Sequence, residues 1–144
     1  MSTTTTNDEQ LFGDAHVRAY RETDGERGYH WKKGTTILLL TTKGRKSGEE
    51  RTHALIFRDV DGDAVIVASK GGHPQHPAWY LNMQAHPDAV EVQIKDDVFR
   101  ARPRAAEGDE RERLWDAMVE VWPDYAKYQE KTDREIPVVV LERA

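Results

Sequence analysis

Apolar positions recur along this chain with two different periods, and the switches between them mark out its elements. Leu11, Phe12, Ala15 and Ala19 keep a helical spacing over residues 10–21, and Thr23-Asp24-Gly25 supplies a stop. Residues 35–42 are threonine-rich and aliphatic, the pattern of a mostly buried strand. Residues 51–60 and 64–69 are strand-like and flank Asp61-Gly62, a strong signal for a tight hairpin. Pro77 opens a short helix, where its missing N–H costs nothing, and Pro87 closes it. Residues 90–94 alternate strictly, as a half-exposed strand does, and Lys95-Asp96-Asp97 turns the chain into another strand over 98–105. Asp109 and Glu112 resemble a capping box for a helix with Leu114, Ala117, Met118 and Val121 on one face. Pro123 stops or kinks that helix, and residues 136–141 form a last strand.

Only two of the connections between strands are long enough for a parallel crossover. The expected architecture is therefore α+β: a mainly antiparallel sheet curled into a barrel, with helices packed outside. A chain of 144 residues without internal repeats or a linker makes one domain over residues 10–144. The polar, threonine-rich residues 1–9 are expected to be a disordered tail.

Composition narrows the chemistry. The absence of cysteine excludes disulfides, thiol catalysis and cysteine-held metal clusters. The apolar runs fall far short of a membrane span and the start of the chain lacks a signal-peptide pattern. A cytoplasmic location fits, with peripheral association at the inner face of a membrane left open. Net charge is −5, residues 107–144 are acidic, and the bases cluster over residues 43–51, which does not make a nucleic-acid-binding face. His73 and His76 stand three apart, but two ligands do not make a catalytic metal centre, and no metal is expected. His53 falls on a strand with two readings, core or ligand-adjacent.

Two loops hold candidate chemistry. Lys43-Gly44-Arg45-Lys46-Ser47-Gly48, with Arg51 beyond it, and Lys70-Gly71-Gly72 each set cations beside glycines at the end of an apolar run. Glycine lets the backbone expose its N–H groups and the cations add charge, a construction suited to a phosphorylated ligand. The first loop is not a nucleotide P-loop, because Arg45 and Leu40 stand where that motif needs glycine. Its plain alternative is a solvated hairpin with protective edge lysines. Trp79, Asn82 and Met83 share one helix face, and the plain alternative there is core packing with Asn82 bridging backbone.

Several segments in fixed order resemble the deazaflavin-dependent nitroreductase family: Leu39 through Gly48 followed by Arg51, Ala68 through Gly72, His76 through Asn82, and Tyr125-Ala126-Lys127-Tyr128 with Arg134 and Pro137 after it. The resemblance spans roughly residues 30–143. It implies a split β-barrel like that of FMN-binding proteins, and binding of coenzyme F420, a deazaflavin with a phosphate and an acidic oligoglutamate tail. By that likeness Lys46 and Arg51 meet the phosphate and nearby carboxylates, Lys43 and Arg45 line the route of the tail, and Gly44 and Ser47 of the same loop also bind the cofactor. Ala54, Leu55 and Ile56 lie along the ring, and Lys70, Gly71, Gly72, Trp79, Tyr80 and Asn82 complete the groove. Tyr125 and Tyr128 are the expected catalytic contacts to a quinone-like or nitro-bearing acceptor, with helix packing as their ordinary alternative. The competing readings are an FMN-dependent reductase on the same barrel and a non-catalytic deazaflavin carrier. The chain is expected to be a monomer or homodimer.

Overall fold

The computed structural model describes residues 10–144, so the expected tail over residues 1–9 lies outside the described residues. In chain order the elements are α1 (Gly13–Thr23), β1 (Thr36–Lys43), β2 (Glu50–Val60), β3 (Asp63–Val67), α2 (Ala78–Ala85), β4 (Glu91–Ile94), β5 (Asp97–Ala105), α3 (Gly108–Val121), α4 (Asp124–Glu130) and β6 (Val138–Arg143). Each strand pair is antiparallel, and the order β1-β2-β3-β6-β5-β4 closes on itself as a barrel. The α+β barrel read from the sequence is the fold observed.

The unbroken apolar runs of β1, β3 and β6 follow from burial on both faces. Leu38, Leu40, Ala64, Ile66, Val139 and Leu141 fill the barrel interior. Their neighbours turn outward: Ile37 and Leu39 pack under Tyr20 of α1, and Val65, Val67, Val138 and Val140 under Leu114 and Met118 of α3. Each of the buried valine, leucine, isoleucine and methionine side chains contributes about 1.5–3 kcal/mol on burial. From α2, Trp79, Tyr80 and Met83 add to the interior cluster. The Tyr20 hydroxyl donates to the Ile37 carbonyl at 2.9 Å and accepts from the Lys95 N–H at 2.7 Å, fastening α1 to β1 and to the β4–β5 turn. The Asp61-Gly62 hairpin forms as expected, with φ of 56° and 94°.

Three local expectations shift. The first helix begins at Gly13 because Phe12 is extended (φ −159°), and the Phe12 ring is 79% exposed rather than core. The capping box at Asp109 and Glu112 does not form: Glu107 occupies the N-cap without a side-chain bond, and Asp109 instead adds charge to the first turn, where the helix dipole favours it. The last strand is Val138–Arg143, while Ile136 is buried ahead of it with its N–H on Gln129 Oε1 at 3.0 Å.

What positions the site is an asymmetry in β2. Its residues from Glu50 to Phe57 pair with β1, but β3 takes only Arg58, Asp59 and Val60. Residues 51–57 therefore keep a second edge without a strand partner among the described residues, and the barrel wall is split there.

Candidate active site

Along an antiparallel strand, backbone N–H and C=O groups point alternately to either side. On the free edge of β2 half of them open toward a cavity of about 500 Å³, which Ala54, Leu55 and Ile56 border. Ser69, Lys70 and Gly71 form another wall, Trp79 at the start of α2 a third, and Tyr125 and Tyr128 of α4 a fourth. Phe12, His16 and Trp31 reach in from the N-terminal segment.

A second depression, about 410 Å³, adjoins the first and shares His53 and Ala78 with it. Gly44, Arg45, Lys46, Ser47 and Arg51 border it. The loop is a tight turn, closed by the Gly44 N–H on the Glu49 carbonyl at 2.8 Å and the Gly48 N–H on the Gly44 carbonyl at 2.9 Å. Buried Asn82 ties the loop to α2. Its Oδ1 accepts from the Arg45 backbone N–H at 3.1 Å and the Arg45 guanidinium at 3.3 Å, and its Nδ2 donates to Thr42 Oγ1 at 3.4 Å. Among the described residues Lys43, Arg45, Lys46 and Lys70 form no ion pair, and Arg51 has only an exposed 3.4 Å contact with Glu49, worth little. Positive charge in this groove is largely uncompensated. Beyond Arg51, a further hollow mixes Arg18 and Arg21 with Asp14, Glu22 and Glu50, so the basic character ends there.

The aromatic walls bring proton donors. Burial pushes the Tyr125 phenol far above its usual range, so it stays a neutral O–H donor at working pH. Tyr128 accepts a hydrogen bond from Trp122 Nε1 at 3.4 Å, which leaves its own proton free for another partner. The two tyrosine rings stand edge-on with centroids 6.1 Å apart, as their spacing on one helix face predicts. Trp122 in turn stacks on Trp31 at 6.0 Å, a pair that joins the N-terminal segment to the α3–α4 corner over the cavity. His16 Nε2 and the Gly28 carbonyl lie 2.9 Å apart, which puts the ring proton on Nε2. His53, at the junction of both depressions, is held below 6.5 chiefly by burial, with Asp14 pulling up and Arg51 pushing down, so it is neutral near pH 7.

The two basic glycine loops thus border two adjoining depressions, which meet at His53 and Ala78. Not every expected residue faces it. Lys43 is exposed and stands outside the lining. Gly72 is buried beneath the turn, where a Cβ would meet the Tyr128 carbonyl oxygen at 2.6 Å. Tyr80 points away from the cavity, packing on His76 and bordering a smaller crevice with Met83 and Val139. Sequence reasoning missed Trp31 and Trp122 as wall residues. They lie 91 positions apart, and only the fold brings them together.

A split antiparallel barrel with an apolar chamber beside a free strand edge, continued by a basic groove, has the form of a cofactor-dependent redox protein with a flat ring system and an anionic arm to hold. The sequence profile of the F420H(2)-dependent quinone reductase family matches residues 14–143, and the chain belongs to that family. It is 42% identical over 132 residues to an F420H(2)-dependent quinone reductase of Mycobacterium tuberculosis (strain ATCC 25618 / H37Rv), covering 89% of this chain and 87% of the relative. Among solved structures it is similar to an F420-H2 dependent reductase (48% identity, TM-score 0.67, 74% of this chain and 93% of that one). It is also similar to a protein described as a domain-swapped dimer (43% identity, TM-score 0.70, 88% and 96%).

Proposed function

We propose that this protein is an oxidoreductase that holds reduced coenzyme F420 and passes hydride to a quinone-type acceptor in the same chamber. The observation that supports this reading is adjacency: an apolar chamber against a strand edge without a strand partner among the described residues adjoins, at His53 and Ala78, a depression lined by uncompensated cations. The residues present fit such a cofactor. Ala54, Leu55 and Ile56 offer backbone donors and acceptors to the edge of a flat ring, Trp79 and Lys70 close the far side, and Lys46 and Arg51 take the phosphate. Guanidinium grips phosphate bidentately and stays charged throughout the working range. Arg45 is aimed by Asn82, and with Lys43 on the outer side the loop extends positive charge toward an acidic tail. FMN would need the phosphate site but not this extension.

The bound cofactor supplies the hydride. The protein's own part is to orient, to exclude water and to hold a proton. Trp31 and Trp122 close the chamber above, and Tyr128, whose oxygen is turned by Trp122, donates a proton to the reduced acceptor. Tyr125 supports that ring and holds its own proton. Among the described residues no helix is long and apolar enough to cross a membrane. Because a relative at 43% identity is described as a domain-swapped dimer, we infer that this chain also pairs with a second copy.

The test is anaerobic turnover with chemically reduced F420 and menadione, in wild type and Tyr128→Phe. The reading expects wild-type turnover and a drop of about 10²-fold or more in the variant, the scale of a lost general acid. Tight cofactor binding with no turnover on any quinone would make the protein a carrier instead.

A further inference from the structure

The turn between β3 and α2 has backbone groups that nothing else among the described residues uses. Ser69 is right-handed helical (φ −80°, ψ −40°), Lys70 left-handed (φ 47°) and Gly71 left-handed (φ 63°, ψ 20°). Right-handed followed by left-handed backbone turns successive N–H groups toward one side, a concavity that suits an anionic oxygen. The Gly72 and His73 N–H groups close the turn on the Ser69 and Lys70 carbonyls at 2.9 and 3.1 Å. The N–H groups of Ser69, Lys70 and Gly71 find no acceptor among the described residues, and all three residues border the 500 Å³ chamber.

Arg134 holds this turn from behind. Its guanidinium donates to the carbonyls of His73 (2.8 Å), Ala68 (3.2 Å) and Ser69 (2.7 Å), and lies 3.2 Å from His76 Nδ1. It has no carboxylate partner among the described residues. In a trans peptide the C=O and N–H point in opposite directions. With the Ala68 and Ser69 oxygens drawn back to the guanidinium, the following N–H groups, those of Ser69 and Lys70, are aimed away from it. Gly72 then seats the turn directly on the Tyr128 backbone, so these donors and the tyrosine helix are fixed relative to each other.

We propose that the backbone N–H groups of residues 69–71 form an oxyanion site for the acceptor, with Arg134 as the residue that positions it. This rests on the oxidoreductase reading above. The reduced cofactor would supply a hydride, with its electron pair, to the conjugated acceptor, and the displaced π pair would move onto the acceptor's carbonyl oxygen. That oxygen, now negative, is stabilised by the three N–H groups and then takes one proton from Tyr128, which solvent restores. One hydride and one proton reduce the acceptor by two electrons as the cofactor is oxidised by two. The donors bind the developing anion more strongly than the neutral carbonyl, so they lower the barrier rather than merely hold substrate. The Lys70 side chain serves the cofactor while the amides of the same turn serve the acceptor.

The test uses full-length, ¹⁵N-labelled protein without cofactor and 2-hydroxy-1,4-naphthoquinone, a quinone that is an anion at neutral pH. The amide signals of Ser69, Lys70 and Gly71 are expected to move downfield and saturate together, and Arg134→Gln to weaken the probe about tenfold or more. With F420 loaded, Arg134→Gln is expected to lower kcat for menadione by about 10²-fold while the cofactor Kd stays within about threefold, and Arg134→Lys to recover part of the loss. Amide signals that do not respond to the probe overturn the proposal, as does a variant that loses cofactor affinity and keeps kcat, which would assign the turn to the cofactor. Should Arg134→Gln fail to fold, the wild-type titration decides alone. Because that titration contains no cofactor, its failure is distinct from a failure to bind F420.

Discussion

Arg51 and Gly72 show how differently two residues of one site come to matter. Among the described residues Arg51 has only its exposed contact with Glu49, which leaves its guanidinium available to a ligand phosphate. Arg51→Ala or Lys46→Ala is expected to weaken F420 binding by about 1–3 kcal/mol, 5- to 150-fold, in a fluorescence titration. Unchanged affinity in both would remove the phosphate site from this loop. Gly72 stands outside the cavity lining, yet its φ of 86° and its contact with Tyr128 leave no room for a side chain. Gly72→Ala should cost at least about 1–3 kcal/mol of stability from backbone strain alone, read as a lowered midpoint in urea. The cationic residues were legible in the sequence because charge beside glycine is a local pattern. Asn82 as a bridge to backbone was among the readings the sequence offered, and its bond from the Arg45 N–H bears that out. The direction of Tyr80 was not legible, since it depends on which side of a short helix meets the barrel.

At the scale of elements, strand pattern carried most of the information. Strict alternation in β4, continuous apolar runs in β1, β3 and β6, and Asp61-Gly62 each report a local requirement. The split in β2 leaves no such trace, because a strand with one partner and a strand with two share the same side-chain alternation. Helix starts were misplaced for a related reason: Phe12 keeps the helical spacing yet stays outside α1. The seat of α1 has a pH signature. Burial raises the Tyr20 phenol from 10.0 to about 12. From about pH 10 to about 12 the unfolded chain releases this proton and the folded chain keeps it, so the contribution is intact below that window and lost as pH rises through it. In chemical denaturation at a series of pH values, Tyr20→Phe is expected to start less stable, for want of two hydrogen bonds, and to decline less steeply across that window. Parallel declines would detach the effect from Tyr20.

For the whole molecule, the proposed function rests on two adjoining chambers that differ in character. One is apolar, roofed by Trp31 on Trp122, and carries tyrosines; the other is a basic turn held by Asn82. His53 and Ala78 stand where they meet. In the proposed reading a flat redox ring with a long acidic arm would occupy both, whereas a shorter flavin mononucleotide would reach only the start of the second. The most direct measurement is therefore a side-by-side titration of the purified protein with F420 and with FMN at low and at high salt. The account predicts that F420 binds at least about tenfold more tightly, roughly 1.4 kcal/mol, with the margin shrinking as salt screens the tail. FMN binding as tightly as F420, or a margin indifferent to salt, would contradict it.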